Sequence, residues 1–185
     1  QDEINALEGV VLTNEELGYL SKLPWVKSSY IESLQSFKFH PEYVKLDEVN
    51  QQLSLRIYGN WYETILFEVP VLAIIEEVYT RNMFPFTLER ETQANQLLID
   101  KITWLNEQLG ANNFNNACSP FLLTEMGTRR RYSRVWQETV IRRLAEKMPN
   151  NLIGTRNVYL AKEYGLKPVG TMAHEWLQEI GRAHV

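Results

Sequence analysis

Three times between residues 121 and 178 a short apolar run ends in Gly-Thr and gives way to a helical pattern. Phe121-Leu122-Leu123 reads as a buried strand that ends at Gly127-Thr128, with a helix from about Ser133 to Met148. Leu152-Ile153 reads as a second, ending at Gly154-Thr155 ahead of a helix from Asn157 to Tyr164. Leu166–Val169 is the third, ending at Gly170-Thr171 before a helix that starts near Ala173. Strands that alternate with helices imply a parallel sheet or barrel. In β/α barrels, ligands gather where the strands end. Glycine there admits a ligand close to the backbone, and the helix start behind it offers free N–H groups to an anion. A single Gly-Thr is more simply a turn and a cap; three in phase favour a shared ligand face.

The first part of the chain has a different grammar. Thr13-Asn14-Glu15-Glu16 forms a capping box ahead of a helix that stops before Pro24. Ser28 or Ser29 caps a second helix through Phe37, and His40-Pro41 breaks the chain. Leu53, Leu55 and Ile57 then alternate with Ser54, Arg56 and Tyr58, the period of a half-buried strand. Gly59-Asn60 is a hairpin signal, and Trp61 to Val69 alternates again with Trp61, Ile65 and Phe67 on one face. Pro70 fits the first turn of a helix to about Arg81, and Leu88–Leu109 carries another, stopped at Gly110. The expected fold class is α/β: an α+β N-terminal layer over residues 1–115, then the first strands of an incomplete β/α barrel over residues 116–178.

Bulk properties narrow the function. The 185 residues suffice for one domain or parts of two, and 44% apolar with 23% charged residues is ordinary for a soluble globular protein. A net charge of −4 provides no global basic field, so no nucleic-acid partner is expected. Cys118 is the sole cysteine, which excludes an internal disulfide and fits a reducing, cytoplasmic setting. Apolar stretches such as Val69–Ile75 are too short to span a bilayer, and no leader opens the chain, so no membrane role is expected. The chain starts at Gln1, not at methionine, and its last residues, 179–185, read like the translation of a sequencing adapter. The true N-terminus is therefore expected to be missing, and residues 179–185 are left out of the fold.

Gly127-Thr128-Arg129-Arg130-Arg131 is the sharpest local feature. Guanidinium forks match phosphate and carboxylate oxygens. On pattern alone the triplet serves equally as an anion site or as a solvated loop whose arginines pair with acids such as Glu125 and Glu138. His174 lies three residues after Thr171 in Gly-Thr-Met-Ala-His-Glu-Trp. If Thr171 caps the helix, the imidazole sits in its first turn, able to act as acid, base or nucleophile. On spacing alone, a packing histidine beside Trp176 is the simpler reading. Glu76-Glu77 and Glu89, Glu91 read as solvated helix faces.

Together these blocks resemble nicotinate phosphoribosyltransferase in its bacterial and fungal form. The likeness extends from about Leu17 to Gln178: Phe-Lys-Phe at 37–39, Arg-Ile-Tyr-Gly-Asn-Trp at 56–61, Glu-Val-Pro at 68–70, the arginine triplet with Ser133, and the block at 170–176. The resemblance implies conversion of nicotinate and phosphoribosyl pyrophosphate to nicotinate mononucleotide and pyrophosphate, coupled to ATP hydrolysis and requiring Mg2+, with no metal ligand identified in this stretch. It implies that His174 is transiently phosphorylated by ATP, that Thr171 contacts nicotinate, and that Arg129, Arg130 and Arg131 line the substrate pocket. A homodimer is implied for the whole enzyme. The Tyr-Lys substrate motif of the family and its later Asp-Ser-Gly and Gly-rich segments have no counterpart here, so the resemblance implies an internal fragment with an open barrel edge, expected to be inactive by itself. Competing readings are a nicotinamide or quinolinate phosphoribosyltransferase, an unrelated phosphate-binding β/α barrel, and a non-enzymatic interaction domain.

Overall fold

A capping residue opens several of the helices. Thr13 completes its capping box, its hydroxyl accepting from the Glu16 N–H at 3.2 Å while the Glu16 carboxylate accepts from the Thr13 N–H at 2.8 Å. Asn60 and Asn157 do the same for shorter helices through their side-chain oxygens. The computed structural model describes residues 1–111 and 121–170. These form α1 (Asp2–Asn5), α2 (Asn14–Leu20), α3 (Ser28–Ser36), β1 (Val44–Val49), β2 (Gln52–Ile57), α4 (Trp61–Thr64), α5 (Glu68–Met83) and α6 (Leu88–Ala111). Then follow β3 (Leu123–Glu125), α7 (Arg134–Lys147), β4 (Leu152–Thr155), α8 (Val158–Glu163) and β5 (Lys167–Pro168). Among the described residues no helix is long and apolar enough to cross a membrane.

The chain packs as two units. One holds Gln1–Thr87 with Thr128–Trp136; the other holds Leu88–Gly127 with the chain from Gln137 onward. The border expected near residue 115 lies outside the described residues.

In the first unit β1 and β2 pair antiparallel, Val44 opposite Ile57 and Leu46 opposite Leu55. Leu55 and Ile57 pack on the core of Ile4, Phe39, Val44, Phe67 and Val71, as their alternation predicts, whereas Leu53 at the strand start is exposed. The hairpin itself is one strand earlier than expected. Its turn is Asn50-Gln51, both at positive φ (52° and 62°), and Gly59-Asn60 opens a helix instead. Two features explain the correction. Asn60 caps the Tyr62 N–H at 3.0 Å, and Gly59, at φ 151°, sits where a Cβ would meet Thr64 and Tyr43 side chains at 2.9 and 3.0 Å. The alternation over 61–69 is therefore not a strand: Trp61 is 72% exposed while Phe67 is fully buried. Pro70 lies in the first turn of α5, which begins two residues before it.

Paired positive-φ residues are the signature of a type I′ turn, which favours Asn-Gly. Glutamine at position 51 meets the steric penalty of the left-handed region, roughly 1 kcal/mol. Gln51→Gly is therefore expected to raise the stability of the first unit by about that amount in a urea titration, and Asn50→Val to lower it.

The second unit holds a parallel sheet in the order β3-β4-β5, with Leu123 paired to Leu152 and Gly154 to Lys167. That is the α/β class the three-fold repeat implies. Helix α6 packs here, placing Ile102 with Leu144, Met148 and Leu152 in one core. Strand β4 starts at Leu152 and ends on Gly154-Thr155, as expected, whereas β3 begins two residues later than expected, at Leu123, and β5 one residue later, at Lys167. Gly170 is exposed, and Thr171 lies outside the described residues.

Candidate functional site

In the first unit the arginine triplet is held by α5. Thr128–Arg130 makes a single 3-10 turn. The Arg129 guanidinium donates to the Glu68 carboxylate, and Arg131 Nε donates to Glu77 Oε1 at 2.5 Å. The residues that follow are pinned to the same helix: the Tyr132 hydroxyl donates to the Phe84 carbonyl at 2.8 Å, and the Tyr132 carbonyl lies 3.2 Å from the Thr80 hydroxyl, which also donates within α5 to the Glu76 carbonyl at 2.8 Å. The Ser133 hydroxyl then accepts from the Trp136 N–H at 3.0 Å and caps α7. Glu77 thus does not lie on a solvated face, because Arg131 recruits it; the Arg131 side chain is only 17% exposed. Two of the three arginines therefore have fixed carboxylate partners. Arg130 is exposed, with no ion pair among the described residues.

In the second unit the strand ends meet on Glu125. Its carboxylate accepts from the Gly127 N–H at 2.5 Å, from the Thr155 hydroxyl at 2.6 Å, and from the Gln137 amide at 3.2 Å to each oxygen. The Thr155 hydroxyl also accepts from the Asn157 N–H at 3.0 Å. Thr155 is fully buried and Gln137 is 3% exposed. The hydroxyl of the second Gly-Thr is thus committed inside the protein and does not face a ligand. Gly154 has a packing role as well: a Cβ there would lie 2.1 Å from the Lys167 carbonyl oxygen. Glu138, the other acid offered as an arginine partner, accepts instead from the Tyr164 hydroxyl at 3.1 Å. Burial first, and that hydrogen bond second, push the Tyr164 hydroxyl above its ordinary pKa.

Glu125 entered the sequence reading only as a possible arginine partner, a place that Glu68 and Glu77 take instead, and Gln137 escaped it although it left a signal. Gln137, Ile141, Leu144 and Met148 fall on one helical stripe, and all four are buried. A glutamine on an otherwise apolar stripe needs a buried partner. Elsewhere in the first unit a cavity of about 120 Å3 is lined by Tyr30, Ser33, Lys38, His40, Tyr62 and Glu63 among others. Its hydroxyls satisfy each other, Tyr62 donating to Ser33. Burial and the neighbouring Tyr62 raise the pKa of Tyr30. Thr171 and His174 lie outside the described residues, so the convergence expected between them and residues 128–131 is not described.

Two family models match the chain. Residues 1–76 match the nicotinate phosphoribosyltransferase N-terminal domain, and residues 121–184 match the nicotinate phosphoribosyltransferase family. The chain belongs to the nicotinate phosphoribosyltransferase family. Among curated relatives, nicotinate phosphoribosyltransferase 2 of Pseudomonas aeruginosa is 38% identical over 185 residues, covering 98% of this chain and 45% of the relative. The nicotinate phosphoribosyltransferase of Neisseria gonorrhoeae is 40% identical over 178 residues, covering 95% of this chain and 43% of its own length. The crystal structure of the Vibrio cholerae nicotinate phosphoribosyltransferase superposes with a TM-score of 0.80 at 35% identity, over 95% of this chain and 40% of that one. The Porphyromonas gingivalis structure gives 0.81 at 31% identity, over 99% and 44%. The chain thus spans less than half the length of the relatives it matches. The family is an enzyme family, and the arginine segment lies within the second matched region.

Proposed function

We propose that the intact enzyme containing this chain joins nicotinate to phosphoribosyl pyrophosphate, releasing nicotinate mononucleotide and pyrophosphate, with ATP hydrolysis coupled through a phosphohistidine at His174. Membership of the family supports the substrates. The observation that carries the reading is the arginine segment after β3, where Glu68 and Glu77 orient Arg129 and Arg131 while Arg130 stays exposed. Leaving-group chemistry at the ribose anomeric carbon builds positive charge on the sugar and negative charge on pyrophosphate. Pre-oriented guanidinium groups lower that barrier without reorganising during the step. Arg130 is the arginine of the triplet best placed to meet an anionic substrate, because carboxylates already occupy both its neighbours.

Thr171 as the nicotinate contact and His174 as the phosphorylated residue rest on the Gly-Thr-Met-Ala-His block. A phosphate on His174 shifts the enzyme between states of different substrate affinity if it contacts them differently. Among the described residues no group of three or more His, Cys, Asp or Glu gathers as a metal site. Magnesium, which the family resemblance implies, would enter with the phosphates of the substrates, its usual mode. Strands β3 to β5 are read as the opening strands of a β/α barrel, and the whole enzyme as a cytosolic homodimer.

Intact enzyme incubated with γ-labelled ATP is expected to acquire an acid-labile label that His174→Asn abolishes. It is expected to convert nicotinate in preference to nicotinamide or quinolinate. Arg130→Ala is expected to raise the KM for phosphoribosyl pyrophosphate roughly tenfold or more, the loss of one charge-assisted contact. An intact enzyme that takes no label and ignores nicotinate overturns the reading; turnover of nicotinamide alone would move it to the sister activity.

A further inference from the structure

Several hydrogen bonds converge on the carboxylate of Glu125. Four N–H and O–H contacts reach its two carboxylate oxygens, from the Gly127 backbone, the Thr155 hydroxyl and the Gln137 amide, the last reaching both oxygens. Its own backbone carbonyl accepts from the Arg156 N–H at 2.8 Å. The partners belong to separate elements: the exit of β3, the end of β4 and the inward stripe of α7. Through Thr155 the network extends to the Asn157 N–H, and the Asn157 side chain caps α8 at the Leu160 N–H, 3.1 Å away.

A side chain with a single acceptor oxygen would leave part of this donor set unmet, and an apolar one would leave all of it without a partner. Only an ionised carboxylate accepts from all of them at once, because it has two acceptor oxygens and no N–H of its own. Hydrogen bonds to a charged acceptor are also the shorter and stronger kind, in keeping with 2.6 Å at Thr155. What the carboxylate fixes is the peptide at Gly127, one residue before Thr128 and the arginine segment.

We propose that Glu125 is a positioning residue of the phosphoribosyl transfer: its carboxylate clamps Gly127, Thr155 and Gln137, and so sets the strand-end backbone from which the substrate-binding arginines follow in the chain. It touches no substrate. The inference rests on the functional reading above, since the geometry that it fixes matters to catalysis only if the arginine segment binds substrate.

The test uses the intact enzyme. Glu125→Gln keeps size and shape but turns one acceptor oxygen into a donor that faces other donors. At a temperature well below the unfolding of the variant, with folded enzyme quantified by active-site titration, the KM for phosphoribosyl pyrophosphate is expected to rise by at least about tenfold, because small displacements of positioned groups carry large kinetic penalties. Glu125→Asp, which keeps the charge on a shorter stem, is expected to fall between Gln and wild type. A variant that melts earlier yet matches the wild-type KM and kcat per folded molecule makes Glu125 a structural residue only and overturns the proposal. If Glu125→Gln does not fold, Thr155→Val asks the same question: it removes one donor to the carboxylate in a nearly isosteric form, and is expected to raise the same KM by a smaller factor. Wild-type kinetics in that variant also overturns the proposal. An intact wild-type enzyme with no activity on nicotinate sinks the functional reading itself, whereas an active wild type matched by its folded variants sinks this inference alone.

Discussion

Phe67→Ala is expected to lower the unfolding free energy of the first unit by about 3–5 kcal/mol, the range for truncating a fully buried phenylalanine. Phe67 has no exposed surface. Its ring stacks on Phe39 with centroids 4.2 Å apart, lies 6.1 Å from Tyr43, and meets Phe37 edge-on at 6.2 Å. Ile4, Val44 and Val71 complete the surroundings. Truncation leaves a cavity whose walls come from several elements, so relaxation cannot fill it. Phe67→Leu retains most of the volume and loses the ring contacts, for which about 1 kcal/mol is expected. The consequence reaches the site, because α5 starts at Glu68, the next residue, and carries both carboxylates that hold the arginines. Urea titrations of the three proteins decide the point: a change below about 1 kcal/mol for the alanine variant would mean that this aromatic cluster does not organise the first unit.

The sequence made some of this visible and hid the rest for physical reasons. Helices were legible where a cap marks their start, as at Thr13, Ser133 and Asn157, because capping is a local event that needs only a few consecutive residues. The parallel α/β unit was legible from the order of its elements. Alternation failed at 61–69, where helical residues with exposed aromatics imitate a strand and only tertiary contacts distinguish Phe67 from Trp61. Hairpin placement failed with it: Gly59-Asn60 has the better turn composition, yet β1 and β2 close through Asn50-Gln51, a pair that accepts positive φ with some strain. The arginine segment was legible as a charge cluster. Its partners were not, since Glu68 and Glu77 lie more than 50 residues earlier in the chain. Nothing in the local sequence ranks them above Glu125 or Glu138 as partners. The same non-locality concealed the Glu125 network, which joins a strand end to residues 12 and 30 positions later.

Gly154 offers the sharpest contrast between the two meanings of a strand-end glycine. If it serves ligand approach, Gly154→Ala leaves the fold intact and weakens substrate binding. If it serves packing, as the geometry has it, the fold gives way first. A Cβ at position 154 would stand 2.1 Å from the Lys167 carbonyl oxygen and 2.6 Å from Val169 Cγ2. The carbonyl belongs to the backbone of β5, which pairs with β4 at just that residue, so it cannot retreat without breaking the ladder. Strand β5 is only two residues long, and the Val169 N–H just after it donates to the Thr155 carbonyl at 3.0 Å. We expect Gly154→Ala to destabilise the second unit by about 3 kcal/mol or more, at the upper end of overpacking. Because Thr155 is the next residue and donates to Glu125, the same variant should also raise the KM for phosphoribosyl pyrophosphate in whatever fraction remains folded. Native-like stability with impaired binding would restore the ligand-facing role to this glycine and show that β4 and β5 lie further apart at this point than the packing here requires.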